Sequence, residues 1–203
     1  MFKYFASKGV SMNEPLIPKK DYLSAGIHIG MKSKNNDMKR YIYKVREDGL
    51  AVLDLKILDD RIRIASEFLA RTNKILVVGR KTGAHYPIAK FVETVNGTCI
   101  IGRFMPGTLT NPKYENFVEP DVIVLTDPLS DYQALKEATD SRIPVVALCD
   151  TFNETKNIDF VIPCNNKGKK SLALIFWLLA KEVNKLRGSE FSGKLEDFDK
   201  GEE

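Results

Sequence analysis

A chain of 203 residues with 43% hydrophobic content suits one folded domain, or one domain with tails, and excludes a disordered or fibrous chain. The formal net charge of +4 is too small to identify a polyanionic partner by its sum, so the distribution of charge has to carry that argument. Cys99, Cys149 and Cys164 are far apart and form no CxxC, so they read as reduced, buried thiols rather than a metal set, and no metal or cofactor is expected.

In chain order, residues 1–15 lack an apolar period and are expected to form a flexible N-terminal extension. Met1 to Val10 contains Lys3 and Lys8 and no sustained apolar core, so it is not a secretory signal. Asp21-Tyr-Leu-Ser-Ala25 starts a short helix, and Gly26 and Gly30 flank Ile27-His28-Ile29. From Met31 to Arg46, Lys32, Lys34, Lys39, Arg40, Lys44 and Arg46 are interleaved with Tyr41 and Tyr43, opposed only by Asp37. Tyr41-Ile-Tyr-Lys-Val45 alternates like a strand. Cations in this pattern neutralise phosphates, and aromatic faces between them stack on unpaired bases. A solvated basic hairpin is the structural alternative.

From Leu50 the pattern becomes strand, helix, strand. Leu50–Leu53 is a strand, and Asp54 caps a helix with Leu58, Ile62, Ala65 and Leu69 on one face. Ile75–Val78 is an apolar run ended by Gly79, as in a strand covered on both sides. Pro87 predicts the first turn of the next helix, which Asn96-Gly97 stops. Thr98–Ile101 and Val122–Leu125 are further strands. Ser130 and Gln133 have capping-box spacing for a helix near Tyr132–Thr139. Val145–Leu148 and Phe160–Ile162 are the last strands. Gly168–Leu186 is a long helix with Leu172, Ile175, Phe176, Leu179, Val183 and Leu186 toward the core, and Trp177 is expected to be packed. Its apolar part, Leu172–Ala180, is too short to span a bilayer. The repeated units predict an α/β domain with a mainly parallel sheet and helices on both faces. The polar tail 188–203, with Glu196, Asp197, Asp199, Glu202 and Glu203, is expected to be acidic and disordered, leaving one folded domain over 16–187.

One connection is unlike the others. Ile101-Gly-Arg-Phe-Met-Pro-Gly-Thr-Leu-Thr-Asn-Pro112 is too long for a turn and too rich in Gly and Pro for a helix. Gly102, Pro106 and Gly107 fix unusual backbone directions, Thr108, Thr110 and Asn111 add short hydrogen-bonding groups, and Arg103 adds a charge suited to phosphate. Gly107 is expected to need a positive φ. Elaborate loops on rigid scaffolds commonly carry function, the alternative being a well-packed connector.

The stretch Gly102-Arg-Phe-x-Pro-Gly-Thr-Leu-Thr-Asn111 resembles the signature loop of universal small-subunit ribosomal protein two in its archaeal form. Ala25-Gly-Ile-His-Ile-Gly30, Leu53-Asp-Leu-Lys56 with Asp59-Asp-Arg-Ile62, and Ile143-Pro-Val-Val-Ala-Leu-Cys-Asp150 with Asn165-Asn-Lys-Gly168 are similar to that family in the same order. The resemblance implies a flavodoxin-like three-layer α/β/α sandwich. It also implies a non-enzymatic constituent of the small ribosomal subunit in the cytoplasm. Such a protein binds small-subunit rRNA at the head–body junction and supports subunit assembly and translation beside neighbouring ribosomal proteins. Neither a membrane nor a small-molecule substrate is implied. Pro112 runs to Pro120 and the next strand without the helical hairpin of the bacterial relatives.

Other candidates are weighed beside it. Gly79-Arg-Lys-Thr-Gly83 follows a strand and precedes a helix, but lacks P-loop spacing, so Arg80 and Lys81 fit an RNA phosphate better than a nucleotide. Lys167, Lys169 and Lys170 crowd a helix start, against its dipole, which invites an external anion; exposed lysines without a role are the alternative. A Cys149–His85–Asp127 constellation at the strand ends rests on topology alone. The RNA contacts expected are therefore Lys32, Lys34, Lys39, Arg40, Lys44, Arg46, Arg80, Lys81 and Arg103, followed by the three lysines at 167, 169 and 170.

Overall fold

Five apolar runs form one parallel sheet in the computed structural model, which describes residues 15–199. Most of the expected N-terminal extension, and residues 200–203 of the tail, lie outside the described residues. The strands are β3 (Ile75–Gly79), β4 (Thr98–Ile101), β5 (Val122–Leu125), β6 (Val145–Cys149) and β7 (Phe160–Pro163), in spatial order β4-β3-β5-β6-β7. Relabelled from the first strand of the sheet, this is the 2-1-3-4-5 order of a flavodoxin-like doubly wound fold. A separate antiparallel pair precedes it, β1 (Ile42–Val45) with β2 (Ala51–Leu53).

Alternation along each strand builds two cores. Val77, Val124, Val146 and Leu148 face helices α2 (Leu55–Arg71), α3 (Thr82–Val95) and α5 (Lys169–Arg187), together with α1 (Lys19–Ala25). Leu76, Val78, Ile123, Leu125 and Ala147 face the other way, against Ala134, Leu135 and Ala138 of α4 (Tyr132–Asp140). That second core is completed by Phe104 and Leu109 of the long loop and by Met38, Tyr41 and Leu53 of the basic segment. Both sequence features singled out for function are thus built into the same core. The three-layer sandwich is as expected.

Most boundaries follow the local chemistry. The Asp54 carboxylate accepts the Lys56 N–H at 2.9 Å, capping α2 as its sequence predicts. Asn96 ends α3 in the left-handed region, with φ 55°. Arg187, in the last turn of α5, donates to the carbonyls of Leu69, Thr72 and Val95, at 3.2, 2.8 and 2.7 Å. It places a cation on the C-terminal ends of both α2 and α3, where the helix dipoles favour one.

Four expectations need correction. α3 begins at Thr82, so Pro87 lies in its second turn; Lys81 is extended, with ψ 130°, and starts the helix earlier. The capping box before α4 does not form: the Ser130 hydroxyl donates to Asp127, and Gln133 donates to Glu137. Nearby carboxylates outcompete the backbone for both side chains. Leu186 is 47% exposed, because at that turn Arg187 turns inward instead. The tail is folded over its described part. After Gly188 the chain returns along α5, and α6 (Glu196–Asp199) buries Phe198. Phe191 packs on both Phe198 and Trp177, and the Trp177 indole donates to the Gly193 carbonyl at 2.8 Å. Two aromatics scattered among the polar and charged residues of the tail, Phe191 and Phe198, supply the burial that composition alone conceals.

Candidate nucleic-acid interface

Parallel strands send every following loop to one edge of the sheet, and the candidate cations leave from these loops. Arg80 follows β3, Arg103 follows β4, and Lys167 follows β7. The Gly102 N–H donates to the Gly79 carbonyl at 3.0 Å, so the loops carrying Arg80 and Arg103 start side by side. Lys169 passes close to Gly83, where an added Cβ would lie 3.1 Å from its Cγ, so α3 and α5 begin together. Arg80, Arg103, Lys167, Lys169 and Lys170 are all exposed.

The N-terminal basic segment is fastened to this edge by Thr151, just beyond β6. Its hydroxyl accepts the Met31 N–H at 2.9 Å and donates to the Ser33 carbonyl at 3.1 Å, while its carbonyl accepts the Asn35 N–H at 2.7 Å. The contact is tight: a Cβ on Gly30 would sit 2.4 Å from the Thr151 methyl. Asp37, the acid placed among the cations, accepts from the Thr155 N–H and hydroxyl at 3.3 and 3.2 Å. Lys39 and Arg40 sit on a short 3-10 turn whose neighbours Met38 and Tyr41 are buried anchors. The Arg40 and Arg61 guanidiniums lie over the Tyr41 ring, at 4.8 and 5.4 Å from its centroid. Lys32, Lys34, Lys39, Arg40, Lys44 and Arg46 are exposed, and none forms an ion pair within 4.0 Å among the described residues.

Lys81 is different. Its ammonium lies 2.6 Å from Asp127 and donates to the Asn166 carbonyl at 3.3 Å. It belongs to a polar network filling the crevice at the strand ends. Asp127 also accepts from Ser130 and Asn153, both at 2.9 Å, and Asn166 donates to Asn153 at 3.1 Å. Asp131 accepts from the Arg80 N–H, the Thr126 hydroxyl and the Asp127 N–H, at 3.0, 3.1 and 3.3 Å. Burial pushes against ionisation of Asp127, but Lys81, Ser130 and Asn153 outweigh it and hold its carboxyl below the usual range. Asp131 has neutral donors and no cation, and burial pushes it up to about 6.

In open α/β sheets this crevice is where ligands bind, and here the chain's own side chains occupy it. The Cys149–His85–Asp127 constellation does not assemble for catalysis. Cys149 is fully buried with its thiol pKa raised, Asp127 is committed to Lys81, and the His85 Nε2 lies 3.2 Å from the Arg80 carbonyl. Among the described residues no His, Cys, Asp and Glu cluster is arranged to hold a metal, and no helix is long and apolar enough to cross a membrane.

The long loop is rigid for a reason its own sequence does not show. Glu137 of α4, 4% exposed, reaches into it. One carboxylate oxygen accepts the Gly107 N–H and the Gln133 amide, both at 2.8 Å. The other accepts the Leu109 N–H at 3.1 Å and the Thr110 hydroxyl at 3.5 Å. Thr108 donates to the Met105 carbonyl at 2.6 Å, and Asn111 accepts the Lys113 N–H at 3.1 Å. Gly107 has φ 93°, as expected, and Gly102 has φ 90°. Pro106 and Met105 are exposed at the tip beside Arg103. The sequence reasoning missed Glu137, Thr151 and Asp131, since each acts on backbone groups distant in sequence.

A doubly wound sandwich with a self-filled crevice and a basic rim of loops defines a class of α/β domain that presents surfaces rather than a catalytic pocket. The family described as Ribosomal protein S2 matches residues 22–119 and 113–185, and the chain belongs to that family. It is 49% identical over 186 residues to the "Small ribosomal subunit protein uS2" of Haloquadratum walsbyi (strain DSM 16790 / HBSQ001), covering 91% of this chain and 67% of that relative. It is 48% identical over 192 residues to the protein of the same name from Methanoregula boonei (strain DSM 21154 / JCM 14090 / 6A8), covering 94% of this chain and 95% of that relative. The resemblance carried by the loop motif is borne out, in its archaeal form. The family is structural and not enzymatic. Residues 112–121 run through turns directly to β5, without a helical insertion.

Proposed function

We propose that this chain binds small-subunit rRNA through the basic rim described above, at the head–body junction, and supports subunit assembly and translation in the cytoplasmic ribosome. The observation that carries this is the convergence of exposed cations from four separate loops at one edge of a rigid sheet. Six of them lie in the clamped segment from Lys32 to Arg46, unpaired by any acid among the described residues. Arg80, Arg103, Lys167, Lys169 and Lys170 extend the same rim, whereas Lys81 contributes by holding the crevice closed. The mechanism is scaffolding: cations neutralise phosphates, and the packed domain fixes the relative positions of the RNA elements they touch. Neighbouring small-subunit proteins meet the remaining exposed surface.

The test is sedimentation of native lysate on sucrose gradients at low and high salt, with and without RNase. Co-sedimentation with small subunits that RNase abolishes and salt progressively releases is the expected result. A chain confined to the light fractions at every salt would refute the proposal. With purified protein, Lys39→Ala/Arg40→Ala should reduce the slope of log affinity against log salt by about 1.5, from roughly 0.7–0.9 per phosphate contact. An unchanged slope would remove that pair from the interface.

A further inference from the structure

We infer that Tyr43 is a stacking platform for an unpaired RNA base, and that the basic hairpin selects a bulged or looped-out nucleotide rather than continuous duplex. This rests on the RNA-binding reading above and names the feature of the RNA that the hairpin takes.

The first observation is the register of the hairpin. Ile42 faces Leu53 and Lys44 faces Val52, so Tyr43 falls at a bulge with no residue opposite it. A bulge bends the strand and re-aims the side chain at that point. The second is the contrast between the two tyrosines. Tyr41 is 2% exposed, packed into the core with two guanidiniums over its ring, whereas Tyr43 is 69% exposed. Only one of the pair is needed for packing. The third is charge: Arg40, Lys44 and Arg46 surround Tyr43 in sequence, all exposed and without an ion pair among the described residues.

An aromatic ring fixed on a strand and flanked by cations suits a nucleotide, because the ring takes the base face and the cations take the adjoining phosphates. Bases inside an A-form duplex have both faces covered by their neighbours, and the deep major groove is closed to side chains. A flipped or looped-out base offers the free face that Tyr43 can use. The ring orders at little entropic cost, since Tyr has two χ angles and its chain neighbours Ile42 and Lys44 are already paired with β2.

The test uses the full chain and two labelled RNA hairpins, identical except for one bulged adenosine, read by fluorescence anisotropy. Wild type should prefer the bulged hairpin. Tyr43→Ala should weaken that complex roughly tenfold while leaving the paired hairpin and the salt slope unchanged. Tyr43→Phe should bind as wild type does. Equal wild-type affinity for the two hairpins would overturn the stacking role while leaving RNA binding standing. So would a Tyr43→Phe loss as large as that of Tyr43→Ala. If Tyr43→Ala binds both hairpins normally but fails to join purified subunits, Tyr43 meets a protein neighbour and the inference is overturned. Failure of the wild type to bind either hairpin at low salt would instead strike at the RNA-binding reading itself. Matching urea midpoints for the three proteins establish that the exposed ring does not act through folding.

Discussion

Glu137 should be worth more to the signature loop than any residue inside it. Its carboxylate is buried with neutral donors only: two loop N–H groups, the Thr110 hydroxyl and the Gln133 amide. Replacement by Ala strips the acceptor from all four. The Leu109 N–H is then left inside the protein, where an unsatisfied donor costs about 1–3 kcal/mol. The Gly107 N–H is nearer solvent and recovers part of its loss through water. Relief from burying a carboxylate offsets some of the remainder, so Glu137→Ala should destabilise the domain by about 2–4 kcal/mol. Glu137→Gln keeps the shape, but either orientation of its amide turns an NH2 group toward a pair of donors. It should therefore also destabilise, by about 1–3 kcal/mol. Urea unfolding measures the global loss, and amide hydrogen exchange at Gly107 and Leu109 measures the local one. If Glu137→Ala unfolds at the wild-type midpoint with Leu109 protection intact, the loop is held by something else and the clasp is refuted.

Gly107→Val places a β-branched residue at φ 93° with its Cβ 3.4 Å from that of Asn111; it should cost about 1–3 kcal/mol and slow incorporation into subunits, read by pulse labelling. Gly30→Ala drives a methyl into Thr151 and should cost about 1–3 kcal/mol in urea unfolding, and Thr151→Ser, which removes the methyl and keeps the hydroxyl, should restore most of it. Asp131, pushed up to about 6 when folded, carries its proton more readily in the native state. Its contribution to stability is thus fully present below its ordinary pKa near 3.8 and is lost as pH rises through about 6. Asp131→Asn removes that titration but turns its NH2 toward a donor, so the variant should carry a pH-independent loss and, relative to wild type, gain up to about 3 kcal/mol as pH rises from about 4 through about 6. Phe198→Ala should release residues 188–199 to protease while leaving the main unfolding midpoint nearly unchanged, because those residues close over α5 from outside the sheet.

The sheet was legible because its strands are short apolar runs buried on both faces, and β3, β5 and β6 could hardly be anything else. The Asp54 cap was legible because donor and acceptor are two residues apart. What stayed hidden depends on groups far apart in sequence. Ser130 looks like a cap, yet it answers to Asp127 at the end of β5. The tail looks disordered by charge, yet Phe191 packs on Trp177 and Phe198 packs on Phe191. Lys81 looks like a free phosphate ligand beside Arg80, yet Asp127 claims it. For the candidate interface, the residue types and the motif were visible in the sequence. Their gathering at one edge was not, because it follows from strand order and from the Thr151 clamp.

That gathering also explains how a fold with a ready ligand crevice serves as a scaffold. Three carboxylates, Asp127, Asp131 and Asp150, lie buried at the strand ends, where an open sheet would receive a ligand. Lys81 and Asn153 satisfy Asp127, the Arg80 and Asp127 N–H groups and the Thr126 hydroxyl satisfy Asp131, and the Thr151 N–H satisfies Asp150, while Asn166 ties Asn153 to the Leu148 carbonyl, so the polar groups of the crevice are spent on joining its own loops to one another. Around the crevice Arg80, Arg103, Lys167, Lys169 and Lys170 remain exposed, without an ion pair among the described residues. A partner gripping Lys32 and Lys170 together then reads the spacing of elements from opposite ends of the chain, which exists only while the domain is folded. RNA bound in this way must stabilise the native state by mass action. The dependence runs in the other direction as well: loosening the crevice at Lys81 should weaken RNA binding without removing a phosphate contact, lowering affinity at every salt while leaving the salt slope as it was.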